Sequence, residues 1–131
     1  VIPAGLLHRV CLVLSVAWAA VIFYLSSRST LPVPSLFPMQ DKLMHIVAYG
    51  VLGFLVSGAR SLPSLPASAT GFLWKSVLLC GLYGLSDEIH QAFVPGRDAD
   101  VYDLCADIAG ALIGTLIMIR LLRHATRLQT S

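Results

Sequence analysis

Charge is scarce in this sequence. Only 12% of its 131 residues are Asp, Glu, Lys or Arg, while 56% are hydrophobic. Soluble domains carry about 25% charged residues, so most of this surface is not built for water. The net charge of +2, with no basic run interleaved with aromatics, excludes a nucleic-acid partner. There is no Gly-rich phosphate loop and no Gly-x-Ser-x-Gly elbow, which removes the common nucleotide-binding and α/β-hydrolase classes. Cysteine is sparse as well. Cys11, Cys80 and Cys105 lie in apolar segments without zinc or redox spacing, so all three are expected to be small buried side chains. Internal repeats, low-complexity tracts and a second domain are also lacking, and the chain reads as a single domain over 1–131.

What is present is apolar length. Four segments, about 6–25, 42–59, 71–92 and 104–122, are long and hydrophobic. Twenty residues at about 1.5 Å each cover the roughly 30 Å hydrocarbon core of a bilayer. In lipid each backbone polar group has to be satisfied within its own segment, so these stretches should be helices. The predicted fold is all-α, a four-transmembrane-helix bundle. The first segment is too long, and lacks the cleavage-site pattern, for a signal peptide. The other three carry polar residues at one end. Between the segments, 26–41 holds three prolines and should be extended, with Leu36 and Phe37 at the membrane surface. The stretch 60–71 reads as a plain surface loop, and 94–103 opens on a Pro-Gly turn signal.

Lysine and arginine set the expected orientation. Four spans place Arg9, Arg60, Lys75, Arg120, Arg123 and Arg127 on one side, and only Arg28, Lys42 and Arg97 on the other. The richer side, with both termini, should be cytoplasmic. All seven acids, Asp41, Asp87, Glu88, Asp98, Asp100, Asp103 and Asp107, fall at the opposite, outward end.

Helical spacing sorts these residues onto faces. Asp41, His45 and Tyr49 share a face of the second segment. Tyr83, Asp87 and either His90 or Gln91 share one on the third, and Asp103 and Asp107 share one on the fourth, followed in line by Gly110 and Gly114. Turned inward, the three faces make an outward-opening polar pocket. For Lys42, Tyr102, Trp74 and Arg28 taken singly, a place at the headgroup level explains the polarity. Asp87 and Asp107 resist that reading, because aspartate is too short to snorkel and a charge deep in a spanning helix costs about 2.5–3.5 kcal/mol. "GALIG" at 110–114 is a close-packing signal for a helix contact inside the monomer or in a dimer, the former being favoured.

Three chemistries suit such a pocket. His45, Asp87, Glu88, His90 and Asp107 include divalent-metal ligand types, without the H-E-x-x-H spacing that specifies zinc. Arg28, Lys42 and Arg97 could clamp the phosphate of an anionic head group while an aspartate–histidine pair moves a proton. The third is capture of a ligand without chemistry. Ser26, Ser27 and Ser86 have no spacing that argues for a Ser-His-Asp triad.

"YLSS" (24–27), "DKLMHIVAYGVLGF" (41–54) and "LYGLSDEIHQAFVPGRDADVYDLCADIAGALIG" (82–114) resemble the VanZ-like family of small bacterial membrane proteins. The motifs are Asp-Lys-x-x-His, then Asp-Glu-x-x-Gln with Pro-Gly-Arg, then an aspartate leading a Gly-xxx-Gly helix. The matching polar positions are Asp41, Lys42, His45, Tyr49, Asp87, Glu88, His90, Gln91, Arg97 and Asp103. Asp107 departs from the pattern, where asparagine is expected, and the loop after Arg97 is more acidic than the family implies. The family takes its name from a protein associated with resistance to teicoplanin, a lipid-bearing glycopeptide antibiotic. The resemblance implies a role in the bacterial cell envelope and a place in the cytoplasmic membrane.

Residues and resemblance together lead to one expectation. The partner is a membrane lipid or lipid-linked envelope precursor, recognised and open to modification in the pocket. His45, Asp87 and Glu88 are the candidates for proton transfer or metal binding. Arg28, Asp41, Lys42, Tyr49, His90, Gln91, Arg97, Asp103 and Asp107 are the candidates for holding the ligand, with Lys42 and Arg97 taking its charge. The alternative is a non-enzymatic accessory protein. A proton-coupled transporter is disfavoured, because the carboxylates are confined to one end.

Overall fold

The computed structural model describes residues 4–30, 34–60 and 68–130. These form four helices: α1 (Ala4–Ser26), α2 (Gln40–Arg60), α3 (Ala69–Gln91) and α4 (Val101–Thr130). There is no strand among the described residues. Three of the helices, α1, α2 and α4, are long and apolar enough to cross a membrane. The first three match the expected segments to within two residues at each end. The predicted loop at 60–71 falls largely on 61–67, which lie outside the described residues.

The fourth helix is longer than its apolar run. It begins early because Asp100 caps it. The Asp100 carboxylate accepts the Tyr102 N–H at 2.8 Å, and its carbonyl accepts the Asp103 N–H at 2.9 Å. It runs on to Thr130 rather than ending near 122. No glycine or proline interrupts 115–130, and Arg123 and Arg127 are basic residues placed favourably near a helix C-terminus.

The most extensive helix contact is between α2 and α4, and it is made by backbone. A Cβ on Gly53 would stand 2.5 Å from the Ala111 carbonyl oxygen, one on Gly110 would strike the Ile46 carbonyl, and one on Gly114 the Gly50 carbonyl. Here the Gly-xxx-Gly signal serves a contact within the chain, as small residues do where two helices approach closely. Beside it, Thr115 Oγ1 donates to the Gly53 carbonyl at 3.3 Å.

The first helix rests on α2 and α3 through polar tethers. Trp18 Nε1 donates to the Ala48 carbonyl at 2.8 Å, and the Tyr83 hydroxyl of α3 donates to the Ala19 carbonyl at 2.7 Å. Most of the large apolar side chains of α1, including Leu12, Val13 and Val16, point outward. At the far end Arg60 closes α2 onto α3, donating from Nη1 to the Phe72 carbonyl at 3.0 Å and to Ser76 Oγ at 2.5 Å. Cys11 and Cys80 are buried as expected, but Cys105 is exposed. It lies two residues from both Asp103 and Asp107 on α4, so turning those acids inward turns it out.

Candidate functional site

The acidic ends of α2, α3 and α4 meet on a loop that the sequence folds tightly. Val94 to Arg97 form a turn closed by the Arg97 N–H on the Val94 carbonyl at 3.1 Å. Gly96 takes the φ of +81° that a type II turn demands at its third position. The turn brings Arg97 against the end of α1. Its Nε donates to the Arg28 carbonyl at 3.0 Å and its Nη2 to the Leu25 carbonyl at 3.2 Å, satisfying carbonyls that a helix terminus leaves open.

Beyond the turn, Lys42 is surrounded by carboxylates. Its Nζ lies 3.0 Å from Asp41, 2.6 Å from Asp100 and 2.6 Å from Asp103. The hydrogen bond from this ammonium holds the Asp100 carboxyl below the usual carboxylate range. Asp100 also gives its backbone N–H to Glu88 Oε2 at 2.8 Å, so the loop joins α2, α3 and α4 at one point.

Deeper in, His45 Nδ1 lies 2.8 Å from Asp107 Oδ1, and its Nε2 lies 3.9 Å from Asp103 Oδ2. Asp107 is fully buried and Glu88 is only 5% exposed. Ligating atoms of His45, Glu88 and Asp107 all lie within 4.8 Å of one another. Glycine at 84 makes room for this group, since a Cβ there would stand 2.7 Å from Asp107 Oδ2.

On the other side of His45 is a cavity of about 90 Å³. Its polar wall is Ser26, Asp41, His45, Tyr49, Asp87, Gln91 and Arg97, and its apolar wall is Ile22, Leu25, Met44 and Ala48. Asp87 Oδ2 accepts from Gln91 Nε2 at 3.2 Å, while Asp87 Oδ1 and the Tyr49 hydroxyl are buried without a partner. The rings of His45 and Tyr49 lie nearly parallel, 6.4 Å apart, and Tyr83 follows at 6.2 Å from Tyr49. Such an arrangement can hold a polar group against an apolar chain, with an imidazole–carboxylate pair at its wall.

Of the residues singled out from the sequence, Asp41, Lys42, His45, Tyr49, Asp87, Glu88, Gln91, Arg97, Asp103 and Asp107 come together at this end. Two do not. His90 turns out of the cluster, stacking on Phe23 at 4.7 Å with its Nε2 3.0 Å from Ser27 Oγ. Arg28 lies over the Tyr24 ring at 5.5 Å, away from the cavity. A phosphate clamp of three cations is therefore not assembled, because Lys42 sits among three acids and Arg97 is bonded to α1 carbonyls. Two contributors were missed. Asp100 has the signal of an acid just ahead of a helix start. Gly84 has only the weaker signal of a small residue one turn before Glu88.

This cluster is built on the stretch that matches a known family, for residues 10–123 fit the VanZ/LLP1 family. The chain belongs to the VanZ/LLP1 family. It is also 29% identical over 107 residues to the uncharacterized protein C11E3.10 of Schizosaccharomyces pombe. That alignment covers 81% of this chain and 59% of the yeast protein, so the chain spans less than two thirds of the length of this curated relative. No solved structure matches the chain. In this VanZ/LLP1 chain, Asp107 is the partner of His45.

Proposed function

We propose that this VanZ/LLP1 protein crosses the membrane four times and uses its cavity to recognise the head group of an anionic lipid or lipid-linked envelope molecule. The observation that carries the reading is the two-sided cavity wall. Ile22, Leu25, Met44 and Ala48 suit an acyl or prenyl chain, Arg97, bonded to carbonyls rather than to a carboxylate, supplies positive charge for an anionic head, and Tyr49, Asp87 and Gln91 suit the hydroxyls of that head. The fourth crossing is α3. It exposes Leu78, Leu79, Leu82, Leu85 and Ile89 and buries Ser76, Asp87, Glu88 and Gln91, a distribution suited to lipid outside and polar groups within. The excess of Lys and Arg at the opposite end supports cytoplasmic termini and a cavity facing the envelope. Modification of the bound lipid is the further step that the His45–Asp107 pair would serve, by moving a proton. A binding or accessory role without chemistry is the alternative.

The test is native mass spectrometry of the protein released from bilayers of phosphatidylglycerol, phosphatidylethanolamine and phosphatidylcholine. Selective retention of phosphatidylglycerol, lost in Asp87→Asn, is the expected result. A change in the mass of the retained lipid would make the protein an enzyme, and an unchanged mass a binder. Equal retention of all three lipids would remove the anionic-lipid reading.

A further inference from the structure

Besides Asp87 Oδ1 on the cavity wall, the buried carboxylate oxygens Glu88 Oε1 and Asp107 Oδ2 at the acidic end meet no donor. The cations nearby are engaged elsewhere. Lys42 is held by Asp41, Asp100 and Asp103, and Arg97 by the carbonyls of Leu25 and Arg28. That leaves Glu88 and Asp107 with His45 as their only basic neighbour within the group. An ionised carboxylate out of water without a counter-charge is strongly unfavourable. A group of this kind is stabilised by a cation or by protons.

We infer that His45, Glu88 and Asp107 bind one divalent transition cation, of the zinc or manganese class, between α2, α3 and α4. The donor set decides the class. Magnesium and calcium favour oxygen ligands alone, whereas an imidazole with carboxylates suits zinc and its neighbours. The spacing fits as well. Two ligands about 2.0–2.2 Å from one ion stand at most roughly 4.4 Å apart. The three ligating atoms lie within 4.8 Å of one another, while ligands about a tetrahedral ion stand roughly 3.4 Å apart, so the widest pair draws in by up to about an ångström and a half, a movement that side-chain rotation supplies. The 2.8 Å from His45 Nδ1 to Asp107 Oδ1 is already close to the roughly 3 Å of two ligands at right angles about one ion.

In the present arrangement a proton lies between those two atoms. The cation takes its place, and the proton leaves to solvent as the ion binds. Asp103 Oδ2 lies 3.9 Å from His45 Nε2, too far for a direct hydrogen bond but close enough to act on the ring by charge. The absence of a side chain at Gly84 keeps the Asp107 carboxylate in position between α3 and α4. The inference stands on this cluster alone and needs no lipid in the neighbouring cavity.

The experiment uses the full chain in detergent, stripped with EDTA and dialysed against Zn²⁺ or Mn²⁺, with metal counted by plasma mass spectrometry. One ion per chain is expected, with a rise in melting temperature and release of protons on binding. Glu88→Gln and His45→Gln should each bind at least about 100-fold more weakly, since even the loss of outer partners costs 10–100-fold. Asp98→Asn, outside the group, should bind as the wild type does. Wild-type protein that takes up neither ion stoichiometrically overturns the proposal whatever the variants do. Unchanged affinity in both Glu88→Gln and His45→Gln overturns the assignment of ligands.

Discussion

His45 Nδ1 and Asp107 Oδ1, 2.8 Å apart, join α2 to α4 inside the fold. Asp107 is fully buried, so removing its partner leaves a buried carboxylate without that donor. His45→Ala should lower stability by about 1–3 kcal/mol. Asp107→Asn keeps an acceptor for the imidazole N–H and should melt close to the wild type in metal-free buffer. Thermal unfolding in detergent checks the order, and a larger loss in Asp107→Asn would contradict it.

A glycine packed between α2 and α4 and one exposed on α1 predict substitutions of opposite sign. A Cβ at Gly114 meets the Gly50 carbonyl, whereas one at Gly5 meets nothing within 4 Å. Gly5→Ala should be neutral or stabilising by up to about 1 kcal/mol, from helix propensity. Gly114→Ala should destabilise by about 3 kcal/mol or more, because the obstacle is backbone and cannot change rotamer. Size-exclusion profiles and melting temperatures of the two variants make the comparison.

Arg97 and Asp87 should separate structure from function. Arg97 bonds two carbonyls at the end of α1, and lysine lacks the planar fork to reach both. Arg97→Lys should therefore cost about 1 kcal/mol and loosen the 94–103 loop, seen as faster amide exchange there. Asp87 is bonded to Gln91 rather than to a cation. Asp87→Asn should keep the melting temperature and lose lipid retention. A marked fall in its stability would make Asp87 a structural residue.

Acid should weaken the Lys42–Asp100 pair in a defined window. The Asp100 carboxyl is held below its ordinary value by the Lys42 hydrogen bond. Its contribution to stability is therefore complete above the unfolded carboxyl pKa, near 3.9. It is lost as the pH falls through the lower folded value. The difference in melting temperature between wild type and Asp100→Asn should be constant from neutral pH to about 5 and shrink below about 4. A difference that stays constant into strong acid would show that the carboxylate charge contributes nothing.

Topology has a direct check. In a Cys105→Ser background, which removes the exposed native thiol, Ala99→Cys should react with a membrane-impermeant thiol reagent in intact cells. Reaction only after lysis would place the acidic end in the cytoplasm.

Which parts were legible in the sequence follows from what periodicity encodes. It assigns residues to faces, so the inward turn of His45, Tyr49, Asp87 and Asp107 was readable, as was the glycine contact on α4, while Asp41 on the same face stays exposed at the helix start. It does not choose between neighbours at the edge of a face. The choice of Gln91 over His90 came from packing, because Phe23 of α1 offers the imidazole a stacking surface. Nor does it say who neutralises whom. Lys42 looked available for a ligand until the loop brought Asp100 and Asp103 around it. The start of α4 was misplaced by reading apolar residues alone, when a capping carboxylate begins the helix before its greasy part.

Backbone contact along Gly50, Gly53, Gly110 and Gly114 leaves no layer of side chains between α2 and α4 that could slide or repack. The two helices form a single stiff beam, and His45 and Asp107 ride on it. Any widening of the adjacent cavity must then come from its other walls, α1 and α3, which touch one another sparingly. The tethers from Trp18 to Ala48 and from Tyr83 to Ala19 become the latches of that movable side. A crosslink pinning α1 to α3 should slow lipid exchange, and one pinning α2 to α4 should leave its rate unchanged.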